Sequence, residues 1–444
     1  MPRLIADLTP LRVSPAFRRL WWGLGVSNIG TQVTVVAVGL QVYALTGSTL
    51  AVGTLGIAAL VPLVALGLYG GALVDHYDRR RVSLLASAVL WLVTAAIAVQ
   101  AWLDVGSVNL LYGLVALQSA AFAINNPART SIVPRLLEPQ LMPAANALQT
   151  LSMNVALTGG PLIGATLVGW GGYGIAYTLD ALLFTAALWA VWRLPAVPPE
   201  RATTEDDRGE DDTAEDGAAP ARRRVVGLSS VLDGLRYLAT RPNVRTTFVV
   251  DLAAMVLAFP RVLWPAAGAL YLGGGEATTG VLAAGFAVGG ILASVFSGAL
   301  VRVRWQGRII VWAITSWGLC VAAFGAVLVA VGPDAPDGVL WGAVVLAGVA
   351  LLLAGGSDAI SSVFRQSILQ TATPDHMRGR LQGVFIVVVA GGPRLGEMVL
   401  GSEATWFGEG WAAVVGGLAC VAVLWLVVRL QPRFWRYDAH HPEP

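Results

Sequence analysis

The chain has 444 residues, of which 56% are hydrophobic and only 13% are charged, against roughly 25% charged residues in a typical soluble domain. The formal net charge of +2 gives no indication of nucleic-acid binding, and the complete absence of lysine excludes both a phosphate-binding Gly-x-x-x-x-Gly-Lys loop for ATP and a Schiff-base lysine. The 2 cysteines and 4 histidines are scattered, so we expect neither a disulfide framework nor a metal site.

Twelve apolar stretches are long enough to cross a membrane, because a helix spanning about 30 Å of hydrocarbon at 1.5 Å per residue needs about 20 residues. The predicted spans are 19–44, 50–74, 82–103, 108–128, 143–169, 174–192, 246–272, 278–301, 309–331, 338–364, 379–401 and 410–428. The composition and these spans predict an all-α membrane protein that is embedded in the lipid bilayer.

The arginines are distributed unequally between the two sides of the predicted membrane. Apart from Arg261 and Arg394, they lie at the ends of the chain or at the even-numbered connectors, and the six odd-numbered connectors contain none. Positively charged connectors remain in the cytoplasm. The pattern therefore predicts a multi-pass protein of the inner, or cytoplasmic, cell membrane with both termini on the cytoplasmic side.

A polar segment after the sixth span divides the chain into two halves. Residues 195–228 combine prolines with a dense acidic run, a composition that predicts a disordered cytoplasmic linker. An amphipathic helix at the membrane surface is predicted to follow it. The expected organisation is an N-terminal six-helix bundle at 1–194, the linker at 195–228, the surface helix at 229–242, a C-terminal six-helix bundle at 243–430 and a cytoplasmic tail at 431–444.

Two short sequences recur at equivalent places in the two halves. Gly71–Val74 at the end of the second span is repeated as Gly298–Val301 at the end of the eighth, and the Arg-x-Ser-Ile of Arg129–Ile132, closing the fourth span, returns in Arg365–Ile368, closing the tenth. These repeats indicate the weak internal symmetry of transporters that are built from parallel halves. Arg365 is assigned to the cytoplasmic connector that follows.

A loop signature directly follows the second span. Gly71, Asp75, Arg79 and Arg80 have the spacing Gly-x-x-x-Asp-x-x-x-Arg-Arg, which resembles the signature of the major facilitator superfamily. Asp75 is expected to meet the eleventh helix or one of two arginines near its start and to lock an inner gate. These arginines are Arg378 and Arg380. The alternative is a positive loop that only sets topology.

Other motifs resemble the enterobactin-exporter branch of that superfamily. They include Asn126–Arg129, Ala144–Leu148, Pro260–Ala266, Leu369–Pro374 and Gly379–Gly383. The resemblance implies twelve transmembrane helices in two six-helix bundles, and export driven by the proton motive force without a cofactor. Siderophores and drug-like molecules are the implied substrate classes.

Two features depart from, or only partly match, the proton-coupled drug exporters of the superfamily. Their arginine in the middle of the fourth span is missing, since the corresponding stretch offers only Gln118. Their fifth-span signature survives in part around Gly160, Pro161 and Gly164, where it is expected to let the helix bend and pack closely between the halves. A proton site must therefore lie elsewhere.

Ionisable residues inside predicted spans are costly and usually face a cavity or a partner. Arg261 and Arg394 each follow a proline, Pro260 or Pro393, that should interrupt helical hydrogen bonding. The functional hypothesis is that both arginines contact the substrate and that one of two aspartates takes up the coupling proton. The alternative is that the buried charges only neutralise one another, as Arg394 and Glu397 could do on one helix. The aspartates are Asp251 and Asp358. Asp180 is equally well explained as the acceptor of a hydrogen bond that joins two packed helices.

Uncharged polar residues in the first and fifth spans are further candidates. They are expected to line the same substrate cavity or, alternatively, to join helices by hydrogen bonds. They are Asn28, Gln32, Gln149 and Asn154.

The best-supported function is a secondary transporter that exports a siderophore or similar small molecule in exchange for protons. The alternatives are a drug or macrolide efflux pump of the same fold, and a scaffold or receptor that has lost transport. An intramembrane enzyme is disfavoured, because no His/Glu pair, Ser/Lys pair or carboxylate dyad occurs at one depth on one helix.

Overall fold

The computed structural model describes residues 8–138, 141–195, 236–296, 303–373 and 375–439. Side chains at 68–76, at 375–380 and at scattered helical positions fall outside this description. All regular structure in the described ranges is helical. The long helices are Pro15–Thr46, Thr49–His76, Arg79–Trp102, Val108–Ile132, Met142–Trp192, Pro242–Ala258, Gly275–Phe296, Gln306–Val331, Trp341–Thr371, Asp375–Phe407 and Glu409–Leu430, and short helical segments are Thr9–Val13, Val133–Arg135, Pro260–Leu263, Trp264–Ala266, Ala267–Leu272 and Pro432–Trp435.

These helices supply twelve membrane spans. Ten described helices are long and apolar enough to cross a membrane. One of them, within Met142–Trp192, is long enough to cross twice and is interrupted at Gly172, where φ is +78°. Asp375–Phe407 supplies the eleventh span. We number the spans first to twelfth in chain order and call the side of the even-numbered connectors the arginine-rich face and the other side the acidic face.

Several helices continue beyond the apolar stretches that predicted them. The tenth ends at Thr371 rather than near 364, so the assignment of Arg365 to a connector was wrong. Helical hydrogen bonding does not stop where apolar residues stop, and side chains cap several helix starts. Ser14 accepts from the amide of Phe17 at 3.1 Å, Asp78 from that of Arg80 at 2.8 Å, and Ser107 caps the fourth span.

The two halves pack with the same internal pattern. In the first half the second span contacts the fourth, and the third contacts the fourth and sixth. In the second half the eighth contacts the tenth, and the ninth contacts the tenth and twelfth. Between halves, the second span meets the eleventh and the fifth meets the eighth. The fold is therefore two six-helix bundles of parallel arrangement, as predicted.

Proline has opposite effects in the seventh and eleventh spans. Phe259 is extended and ends the helix before Pro260, after which the chain continues as a 3-10 turn and a π-helical segment, so the predicted interruption is confirmed. Pro393 instead lies inside the continuous helix Asp375–Phe407, and the predicted break there was wrong. Gly392 and Gly396 pack this helix directly against Met255 of the seventh span.

The fifth-span glycines pack within the first half rather than between halves. An added Cβ at Gly164 would lie 3.0 Å from the carbonyl oxygen of Val33 in the first span, and Gly160 contacts Gln32. The contact between the halves is made one position later, where Ala165 meets Gly280 of the eighth span.

The predicted linker 195–228 lies, except for residue 195, outside the described residues. Of the predicted surface helix 229–242, only 236–240 is described as helical before the next helix begins at Pro242.

Candidate functional site

Three ionisable side chains form a cluster inside the second half, which we call the Asp–Arg cluster. Arg365 of the tenth span forms an ion pair with Asp251 of the seventh and lies 3.7 Å from a carboxylate oxygen of Asp358. The side chains of Arg365 and Asp251 are 6% and 5% exposed, whereas that of Asp358 is 32% exposed. The cluster thus has one enclosed carboxylate and one accessible carboxylate.

Helix geometry explains how these residues meet. Arg365 follows Asp358 by seven residues, about two turns, so both lie on one face of the tenth span. Asp251 lies about 13 Å along the helix that begins at Pro242. Two carboxylates and one guanidinium carry a formal charge of −1. One additional proton would neutralise the cluster.

A second group of charges, the Arg–Glu cluster, lies nearer the acidic face. Arg261 donates from Nε to Glu397 at 2.7 Å and also forms an ion pair with it through the terminal nitrogen. The 3-10 turn after Phe259 brings Arg261 against the eleventh span. The alternative pairing of Glu397 with Arg394 is therefore not what forms.

Arg394 remains as a cation in the Arg–Glu cluster. It is half-buried, and it makes no ion pair within the described part of the chain. With Glu397 engaged by Arg261, the group carries a formal charge of +1. The two clusters of the second half therefore have opposite net charge, about 15 Å apart along the seventh span.

The Arg–Glu cluster abuts the first half through two glycines. An added Cβ at Gly56 of the second span would lie 2.8 Å from both the carbonyl oxygen of Arg394 and Oε2 of Glu397. Gly53 approaches the backbone of Glu397 in the same way. Close backbone contact of this kind needs small residues. The second and eleventh spans are thus in direct contact toward the acidic face.

A hydrogen bond also joins the halves at the acidic face. Thr49, at the start of the second span, donates to Glu409 at 2.6 Å. Within the second half, Tyr271 at the end of the seventh span donates to the other oxygen of Glu409 at 3.1 Å. The glycine contacts and the bond from Thr49 therefore connect the two halves at the acidic face.

Asp180 serves packing in the first half. Thr34 of the first span donates to it at 2.6 Å, and Asp180 is 1% exposed. Gly30 lies directly against it. This is the arrangement that the packing hypothesis predicts.

Three of the four uncharged candidates have described side chains. Asn28, Gln32 and Gln149 are half-buried and make no side-chain hydrogen bond among the residues that the structure describes. The side chain of Asn154 lies outside the described residues.

The loop signature is described only in part. Gly71 and Asp75 belong to the helix Thr49–His76, and Arg378 and Arg380 to the helix Asp375–Phe407, but the side chains of Asp75, Arg378 and Arg380 lie outside the described residues. Arg79 and Arg80 begin the third span, where Arg80 donates to the carbonyl of Trp192. The predicted contact of Asp75 therefore remains a prediction.

Sequence reasoning missed the role of Arg365, although the repeated tetrapeptide marked its position. Its counterpart Arg129 donates to the hydroxyl of Ser87 at 3.1 Å and lies over the ring of Phe184. Arg129 thus has hydroxyl and aromatic partners where Arg365 has carboxylates. The repeat identified both arginines, but not which of them would be paired with acids.

Within the described residues no group of histidine, cysteine or carboxylate side chains could hold a metal ion.

The chain is similar over its whole length to known transport proteins. A family model described as Transmembrane secretion effector matches residues 5–443. The enterobactin exporter EntS of Citrobacter koseri is 26% identical over 442 residues, 99% of this chain and 97% of that protein. EntS of Escherichia coli K12 is 27% identical over 436 residues, 97% and 96% of the two chains.

Solved transporter structures share the fold. A variant of the nucleoside transporter NupG superposes with a TM-score of 0.70 at 12% identity, covering 94% of this chain and 100% of the other. A bacterial homologue of the iron transporter ferroportin, in an inward-facing state, gives 0.66 at 14% identity, covering 95% and 98%. At such identities the likeness concerns the fold alone.

Proposed function

The chain belongs to the Transmembrane secretion effector family of the major facilitator superfamily, and we propose that it is a proton-driven exporter of a siderophore or a similar small molecule. It is a multi-pass membrane transporter and not an enzyme. We further propose that both termini are cytoplasmic, so that the arginine-rich face is the inner face. In the described conformation the transporter is then closed toward the outside.

The observation that carries the proposal is the Asp–Arg cluster. Asp251 is enclosed and paired with Arg365, so it anchors the guanidinium. Asp358 is more exposed and its contact with Arg365 is longer, which makes it the carboxylate that exchanges a proton with water. The negative charge of Asp251 favours a proton on Asp358, and the positive charge of Arg365 opposes it. We propose that Asp358 takes up a proton from the outside and releases it to the inside during the transport cycle.

The substrate contacts are assigned to the Arg–Glu cluster and the half-buried amides. Because Glu397 neutralises Arg261, the cation that remains for an anionic or polar group of the substrate is Arg394. Asn28, Gln32 and Gln149 supply uncharged hydrogen-bonding groups from the first half. The enterobactin-exporting relatives support a siderophore as the substrate. The positive charge of the cluster disfavours the alternative of cationic drugs.

The experiment that tests coupling is transport into proteoliposomes. With purified protein and enterobactin, an imposed pH gradient should drive accumulation by the wild type, whereas Asp358→Asn should abolish accumulation and retain exchange down the substrate gradient. Asp180→Asn removes a buried carboxylate engaged in packing and serves as the matched control, which should remain coupled. Accumulation against a gradient by Asp358→Asn would exclude the proposed proton site.

The same assay separates the substrate classes. Arg394→Gln should raise the half-saturating concentration of an anionic substrate severalfold without removing proton coupling, because only the free cation is lost. A protein that carries macrolides but not enterobactin would support the efflux-pump alternative. A folded protein that carries neither would support a scaffold.

A further inference from the structure

The end of the chain packs against the start of the ninth span at the arginine-rich face. Phe434 and Tyr437 are buried there, and the backbone of Phe434 lies against Gly307. Asp438 forms an ion pair with Arg304 at 2.8 Å, and the amide of Ala439 donates to the carbonyl of Arg304. The hydrogen bond from Arg304 to Asp438 raises the pKa of that arginine. The acid of this segment is therefore already engaged.

Tryptophans form a platform on which a second arginine is held. Trp435 packs with Trp312 of the ninth span and Trp425 of the twelfth, with ring centroids 6.4 Å and 5.7 Å away. The guanidinium of Arg308 lies 4.9 Å from the ring centre of Trp305 and 5.8 Å from that of Trp435. Stacking on aromatic rings orients a guanidinium without neutralising it.

The charge at this place is uncompensated within the described residues. Arg308, Arg429, Arg433 and Arg436 are all exposed and none of them forms an ion pair in the described part of the chain. Tryptophan rings favour the boundary between membrane and water. The platform therefore holds the guanidinium of Arg308 at the depth of lipid headgroups, and Arg429, Arg433 and Arg436 are close in sequence to its tryptophans Trp425 and Trp435.

A groove opens on the lipid-facing surface directly beneath the platform. It has a volume of about 440 Å³ and runs between the ninth and tenth spans from Trp312 to Ala323, a length of about 16 Å. That length is close to half of the roughly 30 Å hydrocarbon core. Its outer walls include Leu319 and Leu346, which are 50% and 63% exposed.

The few polar groups of the groove are satisfied within the protein. Thr315 donates to the carbonyl of Val311 at 2.8 Å, and Ser316 accepts from Ser357 at 2.9 Å. A polar ligand would therefore gain little in the groove. A hydrocarbon chain fits its walls, and Trp312 connects the groove to the platform because it belongs to both.

We propose that this surface is a binding site for an anionic phospholipid, with the phosphate at Arg308 and Arg433 and one acyl chain in the groove between the ninth and tenth spans. The lipid would lie across the ninth span, the tenth span and the terminal segment. It would thereby stabilise the packing of the terminal segment against the bundle.

The test uses the full-length protein exchanged from detergent into nanodiscs of phosphatidylglycerol or phosphatidylcholine, followed by native mass spectrometry of the released protein. The wild type should retain phosphatidylglycerol and not phosphatidylcholine. Arg308→Gln and Arg433→Gln should each lower the ratio of lipid-bound to lipid-free protein about fivefold, since an arginine near a charged lipid surface is worth about 1 kcal/mol. Ala323→Phe should fill the exposed groove and lower retention without removing charge.

The matched control is Arg18→Gln, which removes an exposed arginine of the first half at the same face and should retain the lipid. Circular dichroism would show that each variant is folded. Equal retention of phosphatidylcholine, unchanged retention in Arg308→Gln, or release of the lipid by millimolar inorganic phosphate would each overturn the proposal, the last by identifying a site for free anions.

Discussion

Arg365 is the residue on which the interior of the second half depends most. Its guanidinium is 6% exposed and is shared between Asp251 and Asp358. Burying a charge is costly, and a buried ion pair repays that cost only while both partners are present. Loss of Arg365 would leave two carboxylates close together without a counter-charge, whereas loss of Asp251 as well would remove most of that repulsion.

We therefore expect Arg365→Gln to destabilise the protein by about 3–5 kcal/mol, and the double variant Arg365→Gln with Asp251→Asn to recover most of the loss. Unfolding in a denaturing detergent series, followed by circular dichroism, measures both, and a double-mutant cycle isolates the pair. The surface variant Arg18→Gln provides the control for loss of an arginine. A single variant as stable as the wild type would show that the pair contributes nothing to folding.

At the scale of elements, the second and eleventh spans make a close contact between the halves toward the acidic face. Gly53 and Gly56 let the backbone of the second span approach that of the eleventh, and the bond from Thr49 to Glu409 closes the same side. A side chain at Gly56 would collide with the carbonyl oxygen of Arg394, so it must push the helices apart.

Gly56→Val should consequently shift the population toward conformations that are open at the acidic face. Spin labels at Val105→Cys and Asp334→Cys, with Cys320 and Cys420 replaced by serine, lie in acidic-face connectors of the two halves and report their separation. Gly67→Val is the matched control, because an added Cβ there has nothing within 4 Å. The interpretation fails if both variants give the wild-type distance distribution.

At the scale of the whole molecule, the two faces differ in charge and the two halves repeat one pattern of helix contacts. The arginine-rich face carries both ends of the chain and every even-numbered connector, and the pairs of spans in one half recur in the other. Each half therefore traverses the membrane in the same sense, and the substrate path can lie between the halves.

The orientation predicts the labelling of single cysteines in a background without Cys320 and Cys420. In intact cells an impermeant thiol reagent should modify Asp337→Cys, in the connector before the tenth span, and should not modify Ala218→Cys in the linker until the membrane is permeabilised. Modification of the linker position from outside would reverse the proposed topology.

The sequence by itself determined the number of spans and which connectors carry arginine, and it placed Asp251 and Asp358 inside the seventh and tenth spans. These follow from apolar length, arginine distribution and helical rise, which are properties of single segments. The apolar stretch located the tenth span but not the end of its helix. Helical hydrogen bonding continues past the apolar residues, so Arg365 lies inside the bundle.

Only the tertiary structure decided which charges meet. Glu397 has Arg394 one turn away on its own helix, yet it pairs with Arg261, because the chain leaves helical geometry at Phe259 and presents Arg261 to the eleventh span. Pro393 left no comparable break, since close packing on Met255 holds its helix. Partner choice depends on which faces of distant helices are brought together, and spacing along one chain does not contain that information.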